Sequence, residues 1–204
     1  MKIDVKSTKG KIIMAAIKLF PEKGYEGTSM NAIAEAAGVT KPAVYYYFEN
    51  KEEMFREMIE IGQQHGLKRI REIIKEGEPF REKLIDLIME RFTIPQKLPE
   101  LEKFFSWANT NGLQHALKIC SRDSEIISMM REAILDFLEE EVKKGNLRKD
   151  IDLDQLLALL AGGINYHTKE HFLMGKGMIE RDDAAKMVDI LLYNNIENNR
   201  RENE

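Results

Sequence analysis

The chain has 204 residues, with 31 Lys and Arg against 35 Asp and Glu, a net charge of −4 at pH 7. An apolar share of 43% supports a packed core and excludes a disordered chain. A single cysteine, Cys120, excludes a disulfide framework and every multi-cysteine metal motif.

The longest uninterrupted apolar run, Leu156 to Ile164, is too short to span a bilayer. The opening Met1-Lys2-Ile3-Asp4-Val5-Lys6 lacks the apolar stretch of a signal peptide. A cytoplasmic protein without a membrane partner is expected. The charge is divided unevenly: residues 1–48 carry seven lysines and four acids, net +3, and the remainder is net −7. A basic module on an acidic body suits a polyanion at one end, although so modest an excess also arises by chance.

Nearly everything reads as helix. The first runs from Ser7 to Lys23, with Ile13, Ala16, Ile17 and Phe20 as one apolar stripe. Gly24-Tyr25-Glu26-Gly27 breaks it. Thr28 is the predicted N-cap of a short helix that buries Met30, Ile33, Ala34 and Ala37. Gly38 supplies a sharp turn that needs positive φ. Thr40 caps a third helix, Lys41 to Tyr47, with Pro42 in its first turn. Asn50-Lys51-Glu52-Glu53 has the form of a capping box and opens a long helix through Met54, Phe55, Met58, Ile59, Ile61 and Leu67. Further helices are predicted at 79–93, 99–119, 123–144, 153–174 and 182–197, punctuated by Pro79, Pro95, Pro99 and Gly145. The polar tail from Asn194 to Glu204 is expected to fray.

Residues 28–48 are therefore two short helices joined by Gly38-Val39-Thr40, the geometry of a helix-turn-helix. Ala34 must be small where the second helix crosses. Ile33, Val39 and Val44 fill the wedge. The second helix would enter a major groove with its N-terminal side chains forward. Three consecutive rings, Tyr45, Tyr46 and Tyr47, cannot all face one core at helical period, so some must point out beside Lys41 and Lys51.

Four stretches stand in one register: Ala15-Ala16-Ile17-Lys18-Leu19-Phe20, Lys23-Gly24-Tyr25-Glu26-Gly27-Thr28-Ser29, Ile33-Ala34-Glu35-Ala36-Ala37-Gly38-Val39, and Val44-Tyr45-Tyr46-Tyr47-Phe48 with Lys51-Glu52. Together they resemble the TetR family of transcriptional regulators. Pro21 departs from the family pattern and is expected to end the first helix early. The later helices resemble the family only in layout.

The resemblance implies an all-α protein with an N-terminal three-helix helix-turn-helix DNA-binding domain over residues 1–50 and a C-terminal helical ligand-binding and dimerisation bundle over 51–204. With the side-chain chemistry, it assigns double-stranded DNA to Thr28, Ser29, Thr40, Lys41, Pro42, Ala43, Tyr45, Tyr46 and Lys51. Thr28 and Thr40 offer hydroxyls and helix N-termini to phosphates. Lys41 suits a guanine edge. Pro42 and Ala43 suit a thymine methyl, and Lys51 resembles the family's phosphate-binding lysine. Tyr47 is left without a role.

Eight of the eleven methionines follow residue 53, among many aromatics. Such a bundle suits a cavity for a largely apolar small-molecule effector, as it also suits an ordinary core. Phe104, Trp107, Met130, Phe137 and Tyr166 are the predicted lining. Leu156, Leu160, Gly163, Ile164, Met187, Ile190 and Leu191 are the predicted homodimer interface, a two-fold four-helix contact.

His167-Thr168-Lys169-Glu170-His171 has the spacing of an inverted zinc-peptidase motif, but five residues are a weak signal and the third ligand is unmarked. The reading is a ligand-responsive regulator, a repressor released by its effector, with no catalytic residue, metal or cofactor. The alternatives are a DNA-binding protein of the same fold with an architectural role and no effector, a metal-dependent hydrolase built on His167, Glu170 and His171, or a purely structural helical dimer.

Overall fold

A computed structural model describes residues 4–75, 77–97, 99–110, 125–174 and 179–193. Among them are nine α-helices and no strand: α1 Thr8–Gly27, α2 Met30–Ala37, α3 Lys41–Tyr47, α4 Lys51–Lys75, α5 Phe80–Lys97, α6 Pro99–Thr110, α7 Glu125–Lys143, α8 Leu153–Met174 and α9 Arg181–Leu192. The fold is all-α. The predicted extension of α6 to 119 and the tail from Asn194 lie outside the described residues.

Local signals set most helix ends. Ser7 caps α1 by accepting from the Gly10 N–H at 3.0 Å. Asn50 Oδ1 accepts from the Glu53 N–H at 2.8 Å, and the Glu53 carboxylate reaches back to the Glu49 N–H at 2.6 Å. The capping box is thus displaced by one residue on its return arm. Two prolines do not act as predicted. Pro21 lies inside α1, which continues until Gly24 turns to φ 72° and ψ 170°. Pro95 lies inside α5, which continues to Lys97. An interior proline costs about 3 kcal/mol; at Pro21 the neighbouring Leu19 and Phe20 are buried, and their packing holds the turn helical.

Packing divides the chain into two compact units: Met1–Gly66 with Ile94–Ile127, and Leu67–Thr93 with Ser128–Glu204. The core of the first gathers Ile12, Ile13, Ala16, Ile17 and Phe20 of α1, Met30, Ile33 and Ala34 of α2, Val44 of α3, and Met54, Phe55 and Met58 of α4. Phe104 of α6 completes it. Burying side chains of this size stabilises by about 1.5–3 kcal/mol each. Phe20 is the hub of an aromatic cluster: Trp107 stacks on it at 5.9 Å, Tyr25 stacks at 5.7 Å, and Phe55 meets it edge-on at 5.4 Å.

The core of the second unit holds Leu84, Ile85 and Ile88 of α5, Phe137 and Leu138 of α7, Leu156 and Leu160 of α8, and Ala184, Val188 and Leu192 of α9. The turn after α7 passes through Gly145, whose φ of 79° only glycine adopts cheaply. The carboxylate of Glu141, buried there, is satisfied by the Lys144 ammonium at 2.7 Å and the Asn146 amide at 2.6 Å.

This packing places the members of two predicted sets. Leu156 and Leu160 are 3% and 6% exposed and belong to the second core. A Cβ on Gly163 would lie 2.7 Å from Met187 Cε, the flexible end of a side chain on α9. Ile164, Met187 and Leu191 are partly buried against the same core, and Ile190 is exposed. The predicted cavity lining has members in each unit. Phe104 and Trp107 belong to the first core. Phe137 belongs to the second, tilted against Phe80 at 5.7 Å. Met130 is half-buried on α7, and Tyr166 is exposed. Apolar periodicity marks a buried side chain without saying which neighbour buries it.

Candidate nucleic-acid interface

The two short helices follow from their caps. Ser29, not Thr28, is the N-cap of α2, its hydroxyl accepting from the Ala32 N–H at 3.1 Å. Thr28 terminates α1 and is 1% exposed. Its hydroxyl faces inward, at 2.7 Å from the Gly24 carbonyl and 3.3 Å from that of Leu19. A hydroxyl so placed holds the α1–α2 corner and does not reach a phosphate. Ser29 is exposed.

Helix α2 ends on Gly38 at φ 66° and ψ 34°. The Val39 N–H then bonds to the Ala34 carbonyl at 3.0 Å and closes the turn. Ile33 and Val44 are fully buried and Val39 half-buried, as the wedge between the two helices requires. Thr40 caps α3 by accepting from the Ala43 N–H at 3.4 Å.

Only Val44 of α3 is buried. Lys41 and Pro42 are exposed and Ala43 is half-buried. Tyr45 is 46% and Tyr46 is 82% exposed. Tyr47 turns toward the first core, with its ring edge-on to Tyr46 at 5.0 Å. The Lys41 ammonium lies 5.8 Å from the Tyr45 ring. A cationic head, two flat rings with hydroxyls and a proline therefore share one open helical surface.

Lys51, at the first turn of α4, is more constrained. Its Nζ donates to the Tyr25 carbonyl at 2.5 Å and lies 4.2 Å from the Tyr25 ring centre. The Glu26 carboxylate is 3.9 Å away. Burial, then the Glu52 and Glu26 carboxylates, hold the Tyr25 hydroxyl above its ordinary pKa, so the ring is neutral at pH 7. Tyr25 was given no role by the sequence; the signals for it are its place in the family-like stretch and its position just after the Gly24 kink. Two N-terminal lysines meet acids: Lys9 pairs with Glu57 at 2.6 Å, and Lys18 lies 3.8 Å from Glu100. Lys6, Lys11, Lys23 and Lys41 are exposed.

The family model of bacterial regulatory proteins, tetR family, matches residues 12–58, from α1 to the first turns of α4. The chain is 28% identical to the HTH-type transcriptional regulator PksA of Bacillus subtilis (strain 168) over 162 residues, 79% of this chain and 78% of that protein. It is 27% identical over 198 residues to the "Probable acrEF/envCD operon repressor" of Escherichia coli (strain K12), covering 94% of this chain and 88% of that one. The fold is similar to that of the transcriptional regulator FadR from Bacillus subtilis in complex with stearoyl-CoA. There the TM-score is 0.73 and the identity 22%, over 90% of this chain and 95% of that one.

Residues 12–58 match the N-terminal domain of the TetR family, and the chain is similar to transcriptional regulators over most of its length. These relatives are named as a transcriptional regulator and an operon repressor, not as enzymes. The family match ends within the first core, and α6, which completes that core, lies beyond it. The His167 ring meets Tyr166 edge-on at 5.5 Å, while the side chain of His171 lies outside the described residues. Among the described residues, no three His, Cys, Asp or Glu side chains are grouped to hold a metal, and no helix is long and apolar enough to cross a membrane.

Proposed function

We propose that this chain is a cytoplasmic, ligand-responsive repressor of the TetR family that binds a palindromic DNA operator as a homodimer. The observation that carries the reading is the surface of α3, where Lys41, Pro42, Tyr45 and Tyr46 are exposed around the single buried Val44. In this reading residues 1–50 are the DNA-binding domain, and 51–204 bind the ligand and dimerise. Lys41, Pro42, Ala43, Tyr45 and Tyr46 meet bases and backbone. Ser29, Thr40 and Lys51 meet phosphates. Thr28 contributes through the α1–α2 corner.

Exposed apolar side chains on the last two helices support self-association. Leu159, Gly162 and Tyr166 share one face of α8 at i, i+3 and i+7. Ile190 of α9 and Tyr193 just beyond it are 77% and 82% exposed. Patches of this kind mark protein interfaces.

The effector is a small, largely apolar molecule. The stearoyl-CoA held by the FadR neighbour favours an acyl chain, and Met130 and Phe137 remain the lining candidates. To release DNA, the effector must bind the released state more tightly than the DNA-bound one.

Selection of binding sites from a random duplex library at near-physiological salt tests the reading. Enrichment of a palindrome with half-sites about one helical turn apart is expected. Failure to enrich any sequence sinks it. Stearoyl-CoA and free CoA, titrated against the selected duplex, then test the effector class.

A further inference from the structure

Lys51 is an unusual surface lysine. Its side chain is only 21% exposed, and its ammonium meets two groups of one residue, the carbonyl and the ring of Tyr25, with the Glu26 carboxylate 3.9 Å away. The break at Gly24 takes the chain out of α1 at positive φ, and the Tyr25 carbonyl beyond it accepts from both the Thr28 N–H, at 3.3 Å, and Lys51. The Tyr25 ring is fixed by stacking on Phe20 and by an edge-on contact with Phe55 at 5.5 Å. An ammonium has three N–H donors. One is taken by the carbonyl, and the ring face attracts the cation without using a donor.

A lysine on a free stem loses rotamer freedom when it meets a phosphate. Here that freedom is lost on folding, before any DNA arrives. The Glu26 carboxylate, 80% exposed, is the counter-ion a phosphate would displace.

We propose that Tyr25 is a positioning residue for DNA binding: its carbonyl and ring hold the Lys51 ammonium ready for a backbone phosphate. The proposal rests on the reading that Lys51 is a phosphate contact. Tyr25 itself need not touch DNA.

The test uses the full-length chain and a duplex from the site selection. Affinity and its salt dependence are measured for the wild type, Lys51→Ala, Tyr25→Leu, the double variant and Tyr25→Phe. Because Tyr25→Leu also opens the aromatic cluster, the Phe variant is extended with progressively fluorinated phenylalanine, which keeps the ring's shape and weakens its attraction for a cation. Tyr25→Phe should bind within about twofold of wild type, and each added fluorine should weaken binding, reaching about three- to tenfold. Tyr25→Leu should weaken all sequences alike, lower the salt slope toward that of Lys51→Ala, and add nothing to Lys51→Ala. A flat fluorine series, or additive losses in the double variant, overturns the proposal while leaving Lys51 as a phosphate contact. If Lys51→Ala changes neither affinity nor salt slope, the phosphate reading falls and the proposal with it.

Discussion

Arg81 on α5 holds Asp189 on α9 with two parallel hydrogen bonds, at 2.7 and 2.9 Å. The pair opens into a network: Arg81 also meets Glu82 at 2.8 Å, and Arg181 at the start of α9 reaches Glu82 at 2.8 Å and Asp86 at 2.5 Å. Two arginines thus tie α5 to α9 outside the core those helices share. The hydrogen bond from Arg81 holds the Asp189 carboxyl below its usual range. The bond from Arg181, then that from Arg81, does the same for Glu82. Both acids have folded pKa values below their unfolded ones, so their contribution is present above the unfolded pKa and is lost as pH falls through the folded one. The urea midpoint should fall as pH drops below about 4. Asp189→Asn should show a shallower fall, and high salt should shrink the difference because the network is exposed. An unchanged acid limb in Asp189→Asn contradicts the assignment.

Thr28 and Ser29 should separate by role. Thr28→Val leaves the Gly24 carbonyl without its hydroxyl partner in a buried corner, and chemical denaturation should show a loss of about 1–3 kcal/mol. Its salt slope on DNA, measured on folded protein, should be unchanged. Ser29→Ala removes a cap worth about 1 kcal/mol and should also weaken binding to all sequences.

The recognition helix offers a second separation. Lys41→Ala should relax base preference at one position in each half-site, by about 1–3 kcal/mol. Lys51→Ala should weaken every sequence alike and reduce the salt slope by about one. Tyr46→Ala should weaken binding while changing stability by no more than about 0.5 kcal/mol, since the ring is largely exposed. Site selection repeated with the Lys41 variant decides its case: uniform loss at all positions would make it a phosphate contact.

Neighbouring leucines on α8 should behave oppositely. Leu160→Ala opens the core and should cost about 2–5 kcal/mol. Leu159→Glu, on the 62% exposed side chain next to it, should leave each subunit folded. It should shift sedimentation toward monomer and weaken binding to the palindrome. Ile190→Glu should do the same. A Leu159→Glu protein that remains dimeric would remove this face from the proposed interface.

The most legible part of the sequence was what neighbouring residues encode together. The Gly38 turn, the Thr40 cap, the Asn50 cap and the burial of Ile33 and Val44 each depend on groups within a few positions of one another, so residue type and spacing suffice to read them. Even there the register slipped by one at Thr28 and Ser29, because either hydroxyl can cap a helix and only the inward path of the Gly24 corner selects which one remains outside.

What the tertiary structure alone decided are pairings between distant residues. Phe104 and Trp107 read as cavity lining, and their packing on Phe20, more than eighty positions earlier, was not legible. Leu156 and Leu160 read as interface, and within the chain they pack in the second core. Lys51 read as a phosphate contact, and the residue that holds it, Tyr25, was not legible. An apolar stripe or a cation declares in the sequence that it needs a partner. Which partner it receives depends on where the chain path returns, and that is settled by the packing of whole helices against one another.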